Sequence, residues 1–209
     1  MDPQNEMVVS YLTLRQMIGW IGLLMPFGVR IVAFVVEGVS RDSISDYYYT
    51  AMHDSFVVTL ILIGTLLTCY RSPALRDTVV SIMAGIAAIG IAFFPTKSGT
   101  VWSCNLVHGP SQFHVPFVAA FFVLTIYMIL FRFVAFTPEN PTHAKIIRNR
   151  IYRVCGAVMA IATAIIVVEL LLHRPIFWPE TVAVVSFAVA WLVKGQTLVL
   201  KDPKDASAA

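Results

Sequence analysis

The stretch VCGAVMAIATAIIVVELLL, residues 154–172, decides the class of this protein, because Glu169 is its one charged residue. A helix needs about 20 consecutive apolar residues to cross the hydrocarbon core of a bilayer. Five further stretches have the same character: residues 17–36, 56–70, 78–94, 114–136 and 181–200. The sequence therefore predicts an all-α fold, an integral membrane bundle of six transmembrane helices.

The overall composition also indicates a chain embedded in lipid. Of its 209 residues, 58% are hydrophobic and only 13% are charged, and the mean hydropathy is +0.78. A soluble domain carries roughly 25% charged residues, so this chain has too few to cover a surface exposed to water. No basic stripe interleaved with aromatic residues is present, which argues against a nucleic-acid partner. We expect membrane lipids as partners and leave a homo-oligomer open.

The basic residues predict the orientation of the bundle. Most of them lie on the side that holds the start of the first helix: Arg15, Arg71, Arg76, Arg132, Lys145, Arg148, Arg150, Arg153, Lys194, Lys201 and Lys204. Loops rich in Lys and Arg remain in the cytoplasm, so we expect both termini there, in the inner (plasma) membrane of a bacterium. Residues 1–200 are expected to form one six-helix domain, followed by a disordered cytoplasmic tail, residues 201–209.

Small residues are concentrated in the third predicted helix. They are Ala84, Gly85, Ala87, Ala88 and Gly90. Small side chains let helix backbones approach closely in lipid. We therefore expect this helix to lie near the centre of the bundle.

Polar and ionisable residues gather at the side opposite the basic loops. The loop SRDSISDYYYTAMHDS, residues 40–55, follows the first helix, and TKSGTVWSCNLVHGPSQFH, residues 96–114, follows the third. Alternating helix directions bring these loops together with the ends of helices one and five. We expect an outward pocket for a lipid or small ligand there, lined by Arg30, Glu37, Asp46, Tyr48, His53, Asp54, His108 and Glu169.

Arg30 and Glu169 are the sharpest individual signals among the charged residues inside predicted helices. A charge at the centre of a membrane helix costs roughly 2.5–3.5 kcal/mol on insertion scales, and such residues usually face the bundle interior. An Arg30–Glu169 ion pair is our first hypothesis for both. A purely structural ion pair, or snorkelling of Arg30 to the headgroups, would account for the same sequence.

The histidines on this side suggest a metal site as an alternative. A catalytic zinc takes three protein ligands and a water, and His53, His108 and His114 could supply them. Such a site would make the protein a metal-dependent membrane lipid hydrolase; otherwise no cofactor is expected. The same histidines would equally suit interfacial positions bonded to loop carbonyls. A transporter using Glu169 is a second alternative, and no GxSxG, Walker A or HExxH motif is present.

Short motifs give this chain a family resemblance. Ser43-Ile44-Ser45-Asp46 after the first helix, Ala92-Phe93-Phe94-Pro95 at the end of the third, and His108 or His114 before the fourth are the residues that carry it. In these the chain resembles the Frag/DRAM/Sfk group of six-helix membrane proteins and their bacterial relatives of unknown function. The resemblance implies six helices and a link to membrane lipids.

A second resemblance is to membrane hydrolases of the ceramidase and adiponectin-receptor type. Those proteins use Ser, Asp and three His around zinc near one membrane face. Asp54, His53, His108 and His114 would take those parts here.

Overall fold

The structure, a computed structural model, describes residues 3–96, 111–135 and 141–196, with residues 3–10 and 111 described by their backbone alone. These ranges are helical and contain no strand. The long helices are α1 (Pro3–Glu37), α2 (His53–Cys69), α3 (Leu75–Phe93), α4 (His114–Ala135), α5 (His143–Leu171) and α6 (Phe177–Lys194). Short 3-10 helices occupy Ser45–Tyr49 and Ser111–Phe113, and α4 contains a π-helical turn at Met128–Arg132.

Five of the six helices are long and apolar enough to cross a membrane. The exception is α2, which is apolar but has only 17 residues. At 1.5 Å per residue it is about 26 Å long, slightly less than the roughly 30 Å thickness of a hydrocarbon core. The prediction of apolar helical spans is confirmed for the five longer helices.

The helices form a ring in chain order. Each packs against the next, and α6 closes the ring by packing against α1. The alternating directions place the starts of α1, α3 and α5 with the ends of α2, α4 and α6. We call this end of the bundle the basic end, since it carries Arg15, Arg132 and Lys194, and we call the other the opposite end.

Helices α2 and α3 are in direct backbone contact at two glycines. A Cβ atom built on Gly85 would lie 2.5 Å from the Gly64 carbonyl oxygen, and one built on Gly64 would lie 2.7 Å from the Gly85 carbonyl oxygen. The two backbones therefore touch directly, as expected for small residues in a membrane bundle. The predicted central position of α3 is not observed: α3 is a member of the ring, and α6 is buried over 61% of its span against 56% for α3.

Three helices differ from their predicted bounds at the basic end by six residues or more. Helix α1 begins at Pro3 rather than at residue 17. Helix α5 begins at His143, because the Thr142 hydroxyl caps it by accepting the Lys145 N–H at 3.3 Å. The apolar pattern begins only at residue 154, since the first turns of α5 carry basic side chains. Helix α6 ends at Lys194, before Gly195 and a left-handed Gln196 with φ of 57°. The predicted tail, residues 201–209, lies outside the described residues.

Candidate functional site

The loop between α1 and α2 is folded into the opposite end of the bundle. The Asp42 carbonyl oxygen accepts hydrogen bonds from the N–H groups of Ile176, at 2.8 Å, and Phe177, at 2.7 Å. These are N–H groups at the start of α6 that have no partner inside the helix. The loop is thereby fixed to α6, and its next residues, Ser43, Ile44 and Ser45, are buried.

Glu180, in the first turn of α6, receives this loop. Its side-chain oxygen Oε2 accepts the Ile44 N–H at 2.6 Å and the Ser43 hydroxyl at 3.0 Å, and the residue is only 6% exposed. Ser43 in turn accepts the Ser45 N–H at 3.1 Å. A buried carboxylate needs such donors to offset its loss of hydration.

Glu180 is absent from the residues that the sequence pattern singled out. An acid in the first turn of a helix is typical of a solvated residue that stabilises the helix dipole. The available signal was its position directly before the apolar run of α6, in the sequence FWPETV at residues 177–182. That position puts a carboxylate at the edge of a membrane span, where it requires a partner.

His114, the first residue of α4, connects the loop to the end of α3. Its Nδ1 lies 2.6 Å from the Phe94 carbonyl oxygen, and its Nε2 lies 3.1 Å from the Ser45 hydroxyl. The carbonyl can only accept, so we assign the ring proton to Nδ1, which leaves Nε2 to accept the Ser45 hydroxyl proton. His114 is 4% exposed, and both of its ring nitrogens are engaged.

An apolar cavity lies between the helices beside Ser45 and Glu180. It has a volume of about 60 Å³ and is partly enclosed. Its wall is aliphatic and aromatic, with the two polar residues at one side; the other lining residues include Met25, Phe56, Leu60, Ile91, Phe121 and Val184. One water requires roughly 10–15 Å³ measured in this way, so the cavity has room for a small apolar group.

The predicted Arg30–Glu169 pair is not formed. The Arg30 guanidinium lies 4.3 Å from the centre of the Phe177 ring and 5.3 Å from that of Trp178. Glu169 instead faces Arg174, with 3.9 Å between the Arg174 Nε and Glu169 Oε2 atoms. The physical reason is the ring order: α6 packs between α1 and α5 and separates the two side chains.

Four of the remaining predicted residues have local partners in or beside the loop. The Glu37 carboxylate accepts the Ala51 N–H at 2.8 Å, and His53 Nδ1 lies 2.9 Å from its neighbour Asp54. Tyr48 is buried, and its ring packs against that of His53, with 4.3 Å between centroids. These contacts fasten the loop to itself and to the end of α1.

Asp46 faces the end of α3. One of its carboxylate oxygens lies 3.4 Å from the Thr96 hydroxyl. Burial raises the pKa of the Asp46 carboxyl above its ordinary value, while the Thr96 hydroxyl and the Arg41 charge act against that rise. The Tyr49 hydroxyl donates to the Thr96 carbonyl oxygen. Neither Asp46 nor any of the six other described residues predicted for the pocket lines the cavity.

The metal hypothesis rested on three histidines. Among the residues that the structure describes, no group of three or more His, Cys, Asp or Glu side chains could hold a metal ion. His108 lies outside the described residues, so the combination of His53, His108 and His114 stays a prediction.

The fold and its buried loop define this chain as a polytopic α-helical protein with helices suited to a membrane. No family model matches the chain, and no curated protein and no solved structure shows significant similarity to it.

Proposed function

We propose that this chain is a six-span protein of a bacterial inner membrane, with both termini in the cytoplasm, that binds the apolar part of a lipid or a small hydrophobic molecule. The positive-inside rule supports the orientation, because basic side chains concentrate at the end of the bundle that carries the start of α1. Helix α2 would complete the sixth span with a slight local thinning of the bilayer.

The observation that carries this proposal is the apolar cavity beside Ser45 and Glu180. Well-packed interiors contain few voids larger than a water molecule. Apolar cavities of sufficient size stay dry and take up apolar molecules. The Ser45 hydroxyl at its wall would orient a ligand whose polar group enters last.

Photolabelling tests this proposal directly. The purified protein in mild detergent is irradiated with a diazirine-bearing palmitic acid, and the labelled peptides are mapped by mass spectrometry. We expect adducts on the cavity wall, at Phe56, Leu60 or Phe121. Adducts confined to the outer, lipid-facing surface of the helices would overturn the proposal.

A matched pair of variants sharpens the test. Val184 lines the cavity, whereas Val182, on the same helix, is 44% exposed. Val184→Phe places a ring in the cavity and should lower the apparent affinity for the fatty acid by roughly tenfold, the equivalent of 1.4 kcal/mol. Val182→Phe makes the same chemical change on the outside and should leave labelling unchanged. Equal labelling of both variants would also refute cavity binding.

A second candidate function follows from the Ser45–His114 contact. A serine hydroxyl bonded to a histidine whose other nitrogen is held by an acceptor is the arrangement of an activated nucleophile. Ser45 Oγ would attack an ester carbonyl while His114 Nε2 takes its proton. The alcohol would leave with that proton, and water would then release the acid from Ser45.

The surroundings of Ser45 favour a hydrolase less than they favour the binding of an apolar ligand. The N–H groups of Ser45, Asp46 and Tyr47 are all used within the loop, by the Ser43 hydroxyl and the Ser43 and Ile44 carbonyls. They are thus not free to stabilise a developing oxyanion. A fluorophosphonate probe decides the matter: labelling of the wild type that Ser45→Ala abolishes would support the hydrolase. If Ser45 is not labelled, the Ser45–His114 hydrogen bond serves to hold the loop in place.

A further inference from the structure

Four cationic side chains converge at the basic end, where α1, α5 and α6 meet. Arg15 belongs to α1, Lys145 and Arg148 to α5, and Lys194 is the last residue of α6. The Lys194 nitrogen lies 6.0 Å from the centre of the Tyr152 ring on α5, and Arg148 precedes Tyr152 by four residues on the same helix face. The charges of Arg15, Lys145 and Arg148 all act on Lys194. Like charges repel, so an anion is drawn to such a grouping.

The described residues offer little negative charge to Lys194. Asp77 is the carboxylate that acts on Lys194, and Asp77 is already the partner of Arg132. In the described part of the chain, no hydrogen bond or ion pair reaches the Lys194 ammonium. Its contacts there are with rings: Phe133 lies 4.8 Å and Tyr152 6.0 Å from the nitrogen, measured to the ring centroids.

Arg15 also has few hydrogen-bond acceptors among the described residues. Its guanidinium lies 4.3 Å from the centre of the Tyr11 ring, and its Nη1 reaches the Lys194 carbonyl oxygen only at 3.4 Å. Its Nε is buried and lacks a hydrogen-bond partner among the described residues. A buried donor without a partner is costly, so Arg15 and Lys194 both have bonding capacity for a group that the chain itself does not supply.

We propose that Lys194 and Arg15, assisted by Lys145 and Arg148, bind the phosphate group of an anionic phospholipid at the basic end of the bundle. Phosphate oxygens match both the guanidinium fork and the ammonium. Basic pockets between helices at the cytoplasmic side are suited to such headgroups. The buried rings of Phe133 and Tyr152 contact the Lys194 ammonium and fix its position in the bundle.

Lipid retention in native mass spectrometry tests the site. The full chain is reconstituted with equal amounts of phosphatidylglycerol and phosphatidylcholine, extracted in mild detergent, and its bound lipids are counted. We expect preferential retention of phosphatidylglycerol. Lys194→Gln and Arg15→Gln should each reduce it roughly fivefold, the effect of one charge near a membrane surface. Lys194→Arg should restore most of it, because the charge is kept.

Arg76→Gln is the matched control, since Arg76 is exposed at the same end of the bundle and outside the cluster. It should retain lipid as the wild type does. Equal loss in Arg76→Gln, or no loss in Lys194→Gln and Arg15→Gln, would overturn the proposal. If the Lys194 variant fails to fold, Lys145→Gln provides the same comparison without touching the α6 terminus.

A second arm separates the lipid from free phosphate. The delipidated protein is melted with and without millimolar inorganic phosphate, using chloride of equal ionic strength as reference. Stabilisation by phosphatidylglycerol but not by inorganic phosphate supports a lipid site. Stabilisation by inorganic phosphate that persists when phosphatidylglycerol is present would overturn the lipid as occupant.

Discussion

The α2–α3 crossing allows a worked prediction for Gly85→Ala. The new Cβ would lie 2.5 Å from the Gly64 carbonyl oxygen and 2.7 Å from Thr68 Cγ2. Carbon and carbonyl oxygen approach no closer than about 3.3 Å in proteins, so the helices would have to separate locally by about 0.8 Å. Such overpacking costs about 1–3 kcal/mol. The obstacle at Gly64 is backbone, which cannot turn aside as a flexible side chain can.

Gly28 is the matched control, because a Cβ built on it meets nothing within 4 Å. Gly28→Ala makes the same change inside α1 and should stabilise by about 0.5–1 kcal/mol, through reduced backbone entropy. Gly85→Ala gains the same entropy term, so the free energies of unfolding of the two variants should differ by the overpacking cost alone, about 1–3 kcal/mol. Reversible unfolding by sodium dodecyl sulfate in mixed micelles, followed by circular dichroism, measures both. Equal stabilities would refute a backbone contact at Gly85.

Three further predictions concern buried charged groups. Asp77→Ala should lower stability by about 1.5–3 kcal/mol by removing the charged partner of Arg132. The double variant with Arg132→Ala should recover part of this loss in the same unfolding assay. Glu180→Ala should cost about 1–3 kcal/mol, since the Ile44 N–H loses its acceptor, whereas Glu180→Gln, which keeps an acceptor oxygen, should cost less. Burial raises the pKa of Asp46 above its ordinary value of 3.8. The Asp46 carboxyl therefore stabilises the folded state most at pH values below 3.8. This stabilisation is lost as the pH rises through the pKa that Asp46 has in the folded protein. Melting temperatures measured across acidic pH should show this decline in the wild type and its absence in Asp46→Asn.

Hydrophobic length was sufficient to predict the helices. A run such as residues 154–172 has one stable form in lipid, because an α-helix satisfies every backbone polar group internally. The ends were less accurate where helices continue beyond the apolar run. At the start of α5 the basic side chains obscure helical structure that the Thr142 cap initiates.

Side-chain partners could not be predicted in the same way, since they depend on which helices are neighbours. Arg30 and Glu169 stand out equally in the sequence, yet α6 packs between their helices and each has a different partner. Glu180 was overlooked because its burial depends on the loop residues Ser43 and Ile44 folding over it. Local patterns contain no information about that long-range contact.

The two ends of the bundle satisfy their polar groups in different ways. At the opposite end, Glu180, Ser45 and His114 find hydrogen-bond partners within the chain, so the space left over is the apolar cavity. At the basic end, the partners of Lys194 and Arg15 among the described residues are aromatic rings and a long contact to a carbonyl oxygen. Buried donors without acceptors are unfavourable in a low-dielectric medium. We therefore expect the two ends to bind different ligands. The opposite end, where the polar atoms have partners, should bind an apolar group, and the basic end, where they do not, should bind an anion.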